Sequence, residues 1–479
     1  MKVAVVHYHL QPGGVTRVIE NTLNSFNQKY NSTKFVVLSG RQYPGNQIQN
    51  VKIVDGLDYS LPKQAILPKT LREQMESAAT EALGGKPDIW HIHNHSLGKN
   101  PSLTKVVDLL AQDSIPLLLH PHDFAEDGRP SNFQAIKEIY STAYPSSPLV
   151  HYAVLNHRDY SFMQKLLEGK ESQVHLLANA IPHPLRDQGK EKNKSGLPDN
   201  LFLYPVRAVR RKNLGELALI SAVHNDKFFA NSLGPTNPTF TPIFEEWKQF
   251  VKNRNLPVSY AIGEQTTCTF HDLVNHAKGI ISTSIAEGFG LGFLEPWTFN
   301  KFLCGRNIPE ITQDFSDLGI QLNHLYNRLD VDIKHLRSEE FLKPKITTSL
   351  EKFFSDYGKE LPRNSTDIAY HSIVKNGRLD FGRIDESSQM EIIDSVLKSP
   401  NAQRNLQMQI NTEKPNENII SRNQKNVSKY FSQDTYTDKL QFIYNSILES
   451  GKGTLEFASG HNLLESFLTP DRLNLLRTS

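Results

Sequence analysis

Short apolar runs of strand length alternate with segments of helical period along this chain, and that alternation limits the fold more than any other feature. Residues 2–6, 35–38, 89–92, 115–119, 149–155 and 174–177 read as buried strands. Between them, apolar residues three and four apart mark helices at 18–26, 71–83, 103–110 and 159–167. Such alternation builds βαβ units and a mostly parallel sheet, with ligands at the carboxyl ends of the strands. The pattern restarts after the charged stretch 186–200, with a strand at 201–206, a helix through Leu214, Leu217 and Ile220, an aromatic helix at 243–251 and a strand at 257–262. The 479 residues therefore suit two lobes of about 200 residues and a tail.

Chemistry-bearing residues gather at these expected strand ends. The stretch IISTSIAEGFGLGFLEPW, from Ile280 to Trp297, reads as strand, glycine turn and helix. Its glycines let backbone approach a ligand, and the first N–H groups of the following helix would suit phosphate. Glu287 before the turn and Glu295, about two helical turns on, are expected to project into one cleft, where a carboxylate can accept from a vicinal diol. Gly13 and Gly14 make a second glycine loop, read either as a phosphate or sugar contact or as turn chemistry alone. Arg207, Arg210, Arg211 and Lys212 follow the strand at 201–206, either as an anion clamp or as a solvated turn. Histidines collect at two strand ends: His91, His93 and His95, then His120 and His122 beside Asp123. They read either as polar residues satisfied by backbone or as metal ligands, and the latter would make the protein a metal-dependent hydrolase.

Together these motifs resemble the family-4 retaining glycosyltransferases of the GT-B fold. The likeness rests on Glu287 and Glu295 around the Phe289-Gly290-Leu291 core, on GGVTRVI at 13–19, and on Arg207 and Lys212 five apart. It extends to PLLLHPHDF, whose His122 matches the family's strand-end histidine, and to Asn179-Ala180-Ile181-Pro182. The chain departs from the family at Val206 and Ala180, where glycine is usual, and at Arg306, which stands where the family has the second glycine of a loop. The resemblance implies an α/β, GT-B architecture, with two Rossmann-like, doubly wound lobes facing a central cleft. Residues 1–185 would form the acceptor side, 201–428 the nucleotide-sugar donor side, and 429–479 a C-terminal helix crossing back to the first lobe, plus a tail.

It further implies transfer of a hexose from a nucleotide diphosphate sugar to an acceptor hydroxyl with retention, without cofactor or metal. Arg207 and Lys212 would stabilise the leaving diphosphate, Glu287 with the Gly290 and Leu291 amides would hold the sugar, and Glu295 the ribose. Gly288 and Phe289 complete the donor turn, and Gly13, Gly14 and His122 would act from the first lobe. The catalytic set is His122, Arg207, Lys212 and Glu287. Arg306 is expected either to pair with Glu310 or Asp314, or to read a carboxylate or phosphate on a carbohydrate or small hydroxylated acceptor, or to add to the diphosphate clamp.

Composition removes other classes. A formal net charge of +2 with 22% charged residues argues against nucleic acid as a partner. Two cysteines and no signal-like start point to the cytoplasm, and no apolar run is long enough to span a bilayer, which leaves peripheral membrane contact open. Asp330-Val331-Asp332 follows no suitable strand and reads as coincidence. Residues 401–426, rich in Asn, Gln, Lys and Glu, are expected to be exposed or weakly ordered. A non-catalytic sugar-nucleotide-binding protein is the third reading.

Overall fold

The computed structural model describes residues 1–181 and 196–478, which form two compact units. The first comprises Met1–Pro182, Asp356–Lys359 and Phe431–Thr469, and the second His183–Ser355, Glu360–Tyr430 and Pro470–Ser479. Of the expected linker at 186–200, only residues 196–200 are among those described.

The first unit runs β1 (Lys2–Val6), α1 (Gly14–Lys29), β2 (Lys34–Ser39), β3 (Val51–Ile53), α2 (Pro68–Leu83), β4 (Ile89–His93), α3 (Pro101–Gln112), β5 (Leu117–His120), α4 (Pro130–Ile136), β6 (Pro145–Ser146), β7 (Val150–Val154), α5 (His157–Leu166) and β8 (Val174–Leu176). Its seven-stranded sheet has the order β3-β2-β1-β4-β5-β7-β8, parallel throughout. Every residue of β4, β5 and β7 is buried, as a parallel sheet covered on both faces requires. The strand order reverses between β1 and β4, and the loops leaving those two strands border the crevice in which doubly wound folds bind ligands.

The second unit repeats the plan with β9 (Leu201–Arg207), α6 (Leu214–Val223), β10 (Phe228–Leu233), α7 (Thr241–Asn253), β11 (Val258–Ser259), α8 (Phe270–His276), β12 (Gly279–Ser282), α9 (Glu295–Thr298), β13 (Leu303–Gly305) and α10 (Pro309–Asp317). Its sheet, β11-β10-β9-β12-β13, is also parallel and reverses between β9 and β12. Beyond it, β14 (Asp330–Asp332), β15 (Val374–Lys375) and β16 (Arg378–Asp380) form a small antiparallel sheet among α11 (Leu342–Asp356), α12 (Ser365–Ile373) and α13 (Glu386–Leu397). The Asp330-Val331-Asp332 motif is β14, and its carboxylates pair with Arg328 and Lys334.

Residues 401–426 are largely exposed, as one of the two expected alternatives has it, but they are not weakly ordered: they carry α14 (Pro400–Gln407) and most of α15 (Glu417–Tyr430). Leu406, Ile410 and Ile420 are buried, as is Val427 just beyond, while Met408 is exposed, so a small number of well-spaced contacts offsets a polar composition. The chain beyond α15 divides between the two units. After α15 the chain adds α16 (Gln433–Glu449), β17 (Glu456–Phe457) and α17 (Gly460–Phe467) to the first unit, and then α18 (Leu475–Thr478) to the second. α16 lies against α1, with Tyr436, Leu440, Ile443, Tyr444 and Ile447 in the same core as Val3, Ile19 and Phe26.

Candidate functional site

In the second unit the two expected donor motifs lie on the loops that leave β9 and β12, the adjacent strands at the switch point. Three contacts tie those loops together. The Ile285 N–H donates to the Arg211 carbonyl at 3.0 Å, the Thr283 hydroxyl donates to the Lys212 carbonyl at 2.9 Å, and Lys212 Nζ forms an ion pair with Glu287. The Ser284 hydroxyl donates to the same Glu287 oxygen at 2.5 Å and lies 2.7 Å from the Tyr204 hydroxyl of β9. Burial pushes the Glu287 carboxyl up, but Lys212, Arg211 and the hydrogen bonds from Lys212 and Ser284 outweigh it and keep the group ionised below the usual carboxylate range. Tyr204, Thr283 and Ser284 carry no motif, and only their contacts reveal their part in the loop.

The four cations of this loop divide by environment. Arg207 is exposed, donates to the Gly234 carbonyl at 3.0 Å, and has no carboxylate partner among the described residues. Arg211 is exposed, whereas Arg210 forks onto Glu386 at 2.8 and 2.9 Å. Asn213 ends the loop in the left-handed region at φ 54°, a conformation asparagine tolerates, and starts α6.

The segment after the glycine turn differs from expectation. It is not a long helix but one 3-10 turn, Leu291–Phe293, followed by the four-residue α9, so Glu295 is not two helical turns beyond Glu287 on one face. Pro296 in the first turn of α9 and Gly290 at φ 90° break the helix that the spacing suggested. Gly290 is structural on its own account, since a Cβ there would meet the Ile311 side chain at 2.9 Å. Phe289 is buried, with its ring 5.8 Å from that of Phe315, so the backbone of residues 288–291 is what remains available to a ligand. Glu295 is partly buried at the start of α9.

Arg306 overturns its expected acceptor role. It is 3% exposed and donates to Glu216 at 2.8 and 2.6 Å and to Asp380 at 3.1 and 2.7 Å. Its partners are neither Glu310, which pairs with Arg472, nor Asp314. The Tyr326 hydroxyl and the Asn213 side-chain amide complete the shell of Glu216 at 2.8 and 3.0 Å.

In the first unit, Gly13 is the N-cap of the sixteen-residue α1 and supplies no side-chain cap, so the helix presents its first amides uncapped. A Cβ at Gly14 would meet nothing within 4 Å, so the protein's own packing does not demand glycine there. The histidines of β4 and β5 form one face: His93 is in register with His120, and His91 and His122 flank them. His91 lies 2.8 Å from the Tyr444 hydroxyl of α16 and 3.1 Å from His120, and His93 lies 2.8 Å from His122. Burial lowers all four pKa values, those of His91 and His122 to about 3, so the rings are neutral at pH 7. The rings bond one another and the Tyr444 hydroxyl rather than the backbone, and the buried His120 Nε2 has no hydrogen-bond partner among the described residues. His95 stands apart on the Ala143 carbonyl, and Asp123 pairs with Arg129. Nitrogens of His91, His93 and His120 lie within 4.8 Å of one another, close enough to hold a metal ion.

The chain is 25% identical over 513 residues to mannosylglucosyl-3-phosphoglycerate synthase from Petrotoga mobilis (strain DSM 10674 / SJ95), with 98% of each chain covered. It is similar in structure to a glycosyltransferase from Rickettsia africae ESF-5, at TM-score 0.51 and 14% identity over 94% of this chain and 99% of that one. It is similar also to WaaG, a glycosyltransferase involved in lipopolysaccharide biosynthesis, at TM-score 0.50 and 11% identity over 94% and 100%. No family model matches the chain. With its two parallel, doubly wound sheets, the protein has the GT-B fold of glycosyltransferases. The full-length likeness to a sugar-conjugate synthase supports glycosyltransferase function and does not favour a hydrolase. No helix among the described residues is long and apolar enough to cross a membrane.

Proposed function

We propose that this chain is a retaining hexosyltransferase that moves a hexose from a nucleotide diphosphate sugar to a hydroxyl of an anionic acceptor. The observation that carries the reading is the pairing, at the β9/β12 switch point, of a loop bearing Arg207 and Lys212 with the glycine turn bearing Glu287. Arg207 has no carboxylate partner among the described residues and is suited to a diphosphate, while Glu287 holds Lys212 through their ion pair. Glu287 and the amides at Gly288, Gly290 and Leu291 would bind the hexose, and Glu295 the ribose. The acceptor hydroxyl attacks from the face that the diphosphate leaves; the glycosidic bond to phosphate breaks, the new one forms, and a leaving phosphate oxygen takes the hydroxyl proton. No covalent nucleophile, metal or cofactor enters, so the protein's task is positioning and charge stabilisation. Gly13 and Gly14 would contribute to donor binding, and His122 would act beside the transferred sugar. The relative's name describes a product with two sugars on 3-phosphoglycerate; carried over here, it makes the acceptor phosphorylated and carboxylated. The unpaired Cys268 and Cys304 suit a reducing compartment such as the cytoplasm.

The test incubates the protein with a panel of nucleotide sugars and glucosyl-3-phosphoglycerate, with and without chelator, and reads the product anomer by NMR. Chelator-insensitive transfer with retention is expected. Loss on chelation would favour a metal-dependent enzyme, and thermal stabilisation without turnover a binding protein. Arg207→Ala should lower kcat more than it raises KM, by about 2–4 kcal/mol of transition-state stabilisation; an unchanged kcat at saturating donor would reduce the basic loop to a solvated turn.

A further inference from the structure

We infer that Lys99 and Arg129 form an oxyanion subsite in the first unit that binds the phosphate or carboxylate of the acceptor. The inference rests on the glycosyltransferase reading for the word acceptor, but its geometry is independent of it. Lys99 follows β4 immediately before the N-cap of α3, and Arg129 precedes α4 in the loop after β5, so both lie at carboxyl ends of the parallel sheet. Lys99 is partly buried and has no ion-pair partner among the described residues, and its ammonium lies 5.5 Å from the centre of the Tyr59 ring. Tyr59 is 44% exposed, and its ring stands 4.7 Å from that of His9 in the β1 loop.

The lysine is held by a built frame. Its carbonyl accepts from the Ser60 N–H at 2.9 Å, and the Asn100 side chain donates to the Gly56 and Asp58 carbonyls at 2.7 Å each. Gly98, at φ 74°, allows the loop to press onto the Asn132 carbonyl of α4, the helix that Arg129 precedes. Arg41 pairs with Asp58 and Arg129 with Asp123 at 2.5 Å, whereas Lys99 has no such carboxylate among the described residues. Burial first, and Arg129 next, lower the Lys99 pKa, with Asp123 opposing. A half-buried cation facing a second cation is costly unless an anion joins them.

Arg129 also donates to the Phe124 and Asp127 carbonyls, so its replacement could disturb the loop, and Lys99 carries the test. Calorimetric titrations of the full chain with 3-phosphoglycerate, glycerate and a nucleoside diphosphate would compare wild type, Lys99→Gln and Lys99→Arg. We expect Lys99→Gln to weaken 3-phosphoglycerate at least tenfold and Lys99→Arg to retain most of the affinity, with nucleotide binding unchanged in both. A matching loss for glycerate would identify the carboxylate as the bound group, and a loss confined to 3-phosphoglycerate the phosphate. If wild type does not bind 3-phosphoglycerate, or Lys99→Gln binds it within twofold of wild type, the subsite is wrong. Lys99-dependent binding without sugar transfer to any acceptor would leave the subsite standing and overturn the glycosyltransferase reading; transfer unaffected by Lys99→Gln would do the reverse.

Discussion

Arg306 shows how one side chain can be conspicuous in sequence and still be assigned the wrong task. An arginine in place of a glycine next to a ligand loop invites a binding role, yet its guanidinium is enclosed by Glu216 and Asp380, residues 90 and 74 positions away. Burial alone would push the Asp380 carboxyl up; Arg306 outweighs it and keeps the group ionised. Removing the arginine strands two buried carboxylates, so Arg306→Ala should cost about 3–5 kcal/mol in equilibrium denaturation. A variant of wild-type stability would mean that the network relaxes without it. Arg207, Lys212 and Glu287 were legible as a set through the family resemblance, at turns that the apolar pattern marks as following strands. Lys99 was not, because what marks it is the lack of a carboxylate partner among the described residues, and pairing is visible only in three dimensions.

Among the elements, those with continuous apolar runs or clear helical period formed where expected: β1, β4, β7 and β9, with α1, α2 and α16, all match. β10 did not stand out, because FFANSL mixes Asn231 and Ser232 into a central strand; both are buried, and Asn231 donates to the Val206 and Leu233 carbonyls at 3.2 and 2.7 Å. The glycine turn misled in the other direction, since Gly290 and Pro296 end the helical pattern that Glu287 and Glu295 seem to share. For α16, helical period indicated an apolar face, and the structure supplied its partner, α1. Leu440 is fully buried in that contact, so Leu440→Ala should destabilise the first unit by about 2–5 kcal/mol in denaturant unfolding. A loss well under 1 kcal/mol would show that α16 is not integral to that core.

Taken as a whole, each unit buries polar residues where its strands end, and the first unit does so with histidines. The folded pKa values of His91 and His122, near 3, lie below the unfolded value of 6.5, so the unfolded chain binds more protons between those limits. Stability is therefore fully present above pH 6.5 and falls as pH drops toward 3, each such histidine contributing up to about 1.4 kcal/mol per pH unit. Denaturant unfolding of the first unit at pH 7.5, 6 and 5 should show midpoints that fall below pH 6.5; midpoints constant across this range would mean that the rings are not buried neutral. Alternation of apolar runs determined by itself that the chain makes parallel, doubly wound sheets, because strand and helix periods are local properties. Which strands are adjacent, and therefore which loops leave a switch point together, was decided only by the tertiary structure. So were the packing of α16 against α1, the ring contacts among His91, His93, His120 and His122, and the enclosure of Arg306. Each of these depends on residues far apart in the chain meeting in a packed interior, where leaving a charge or polar group unpaired is costly.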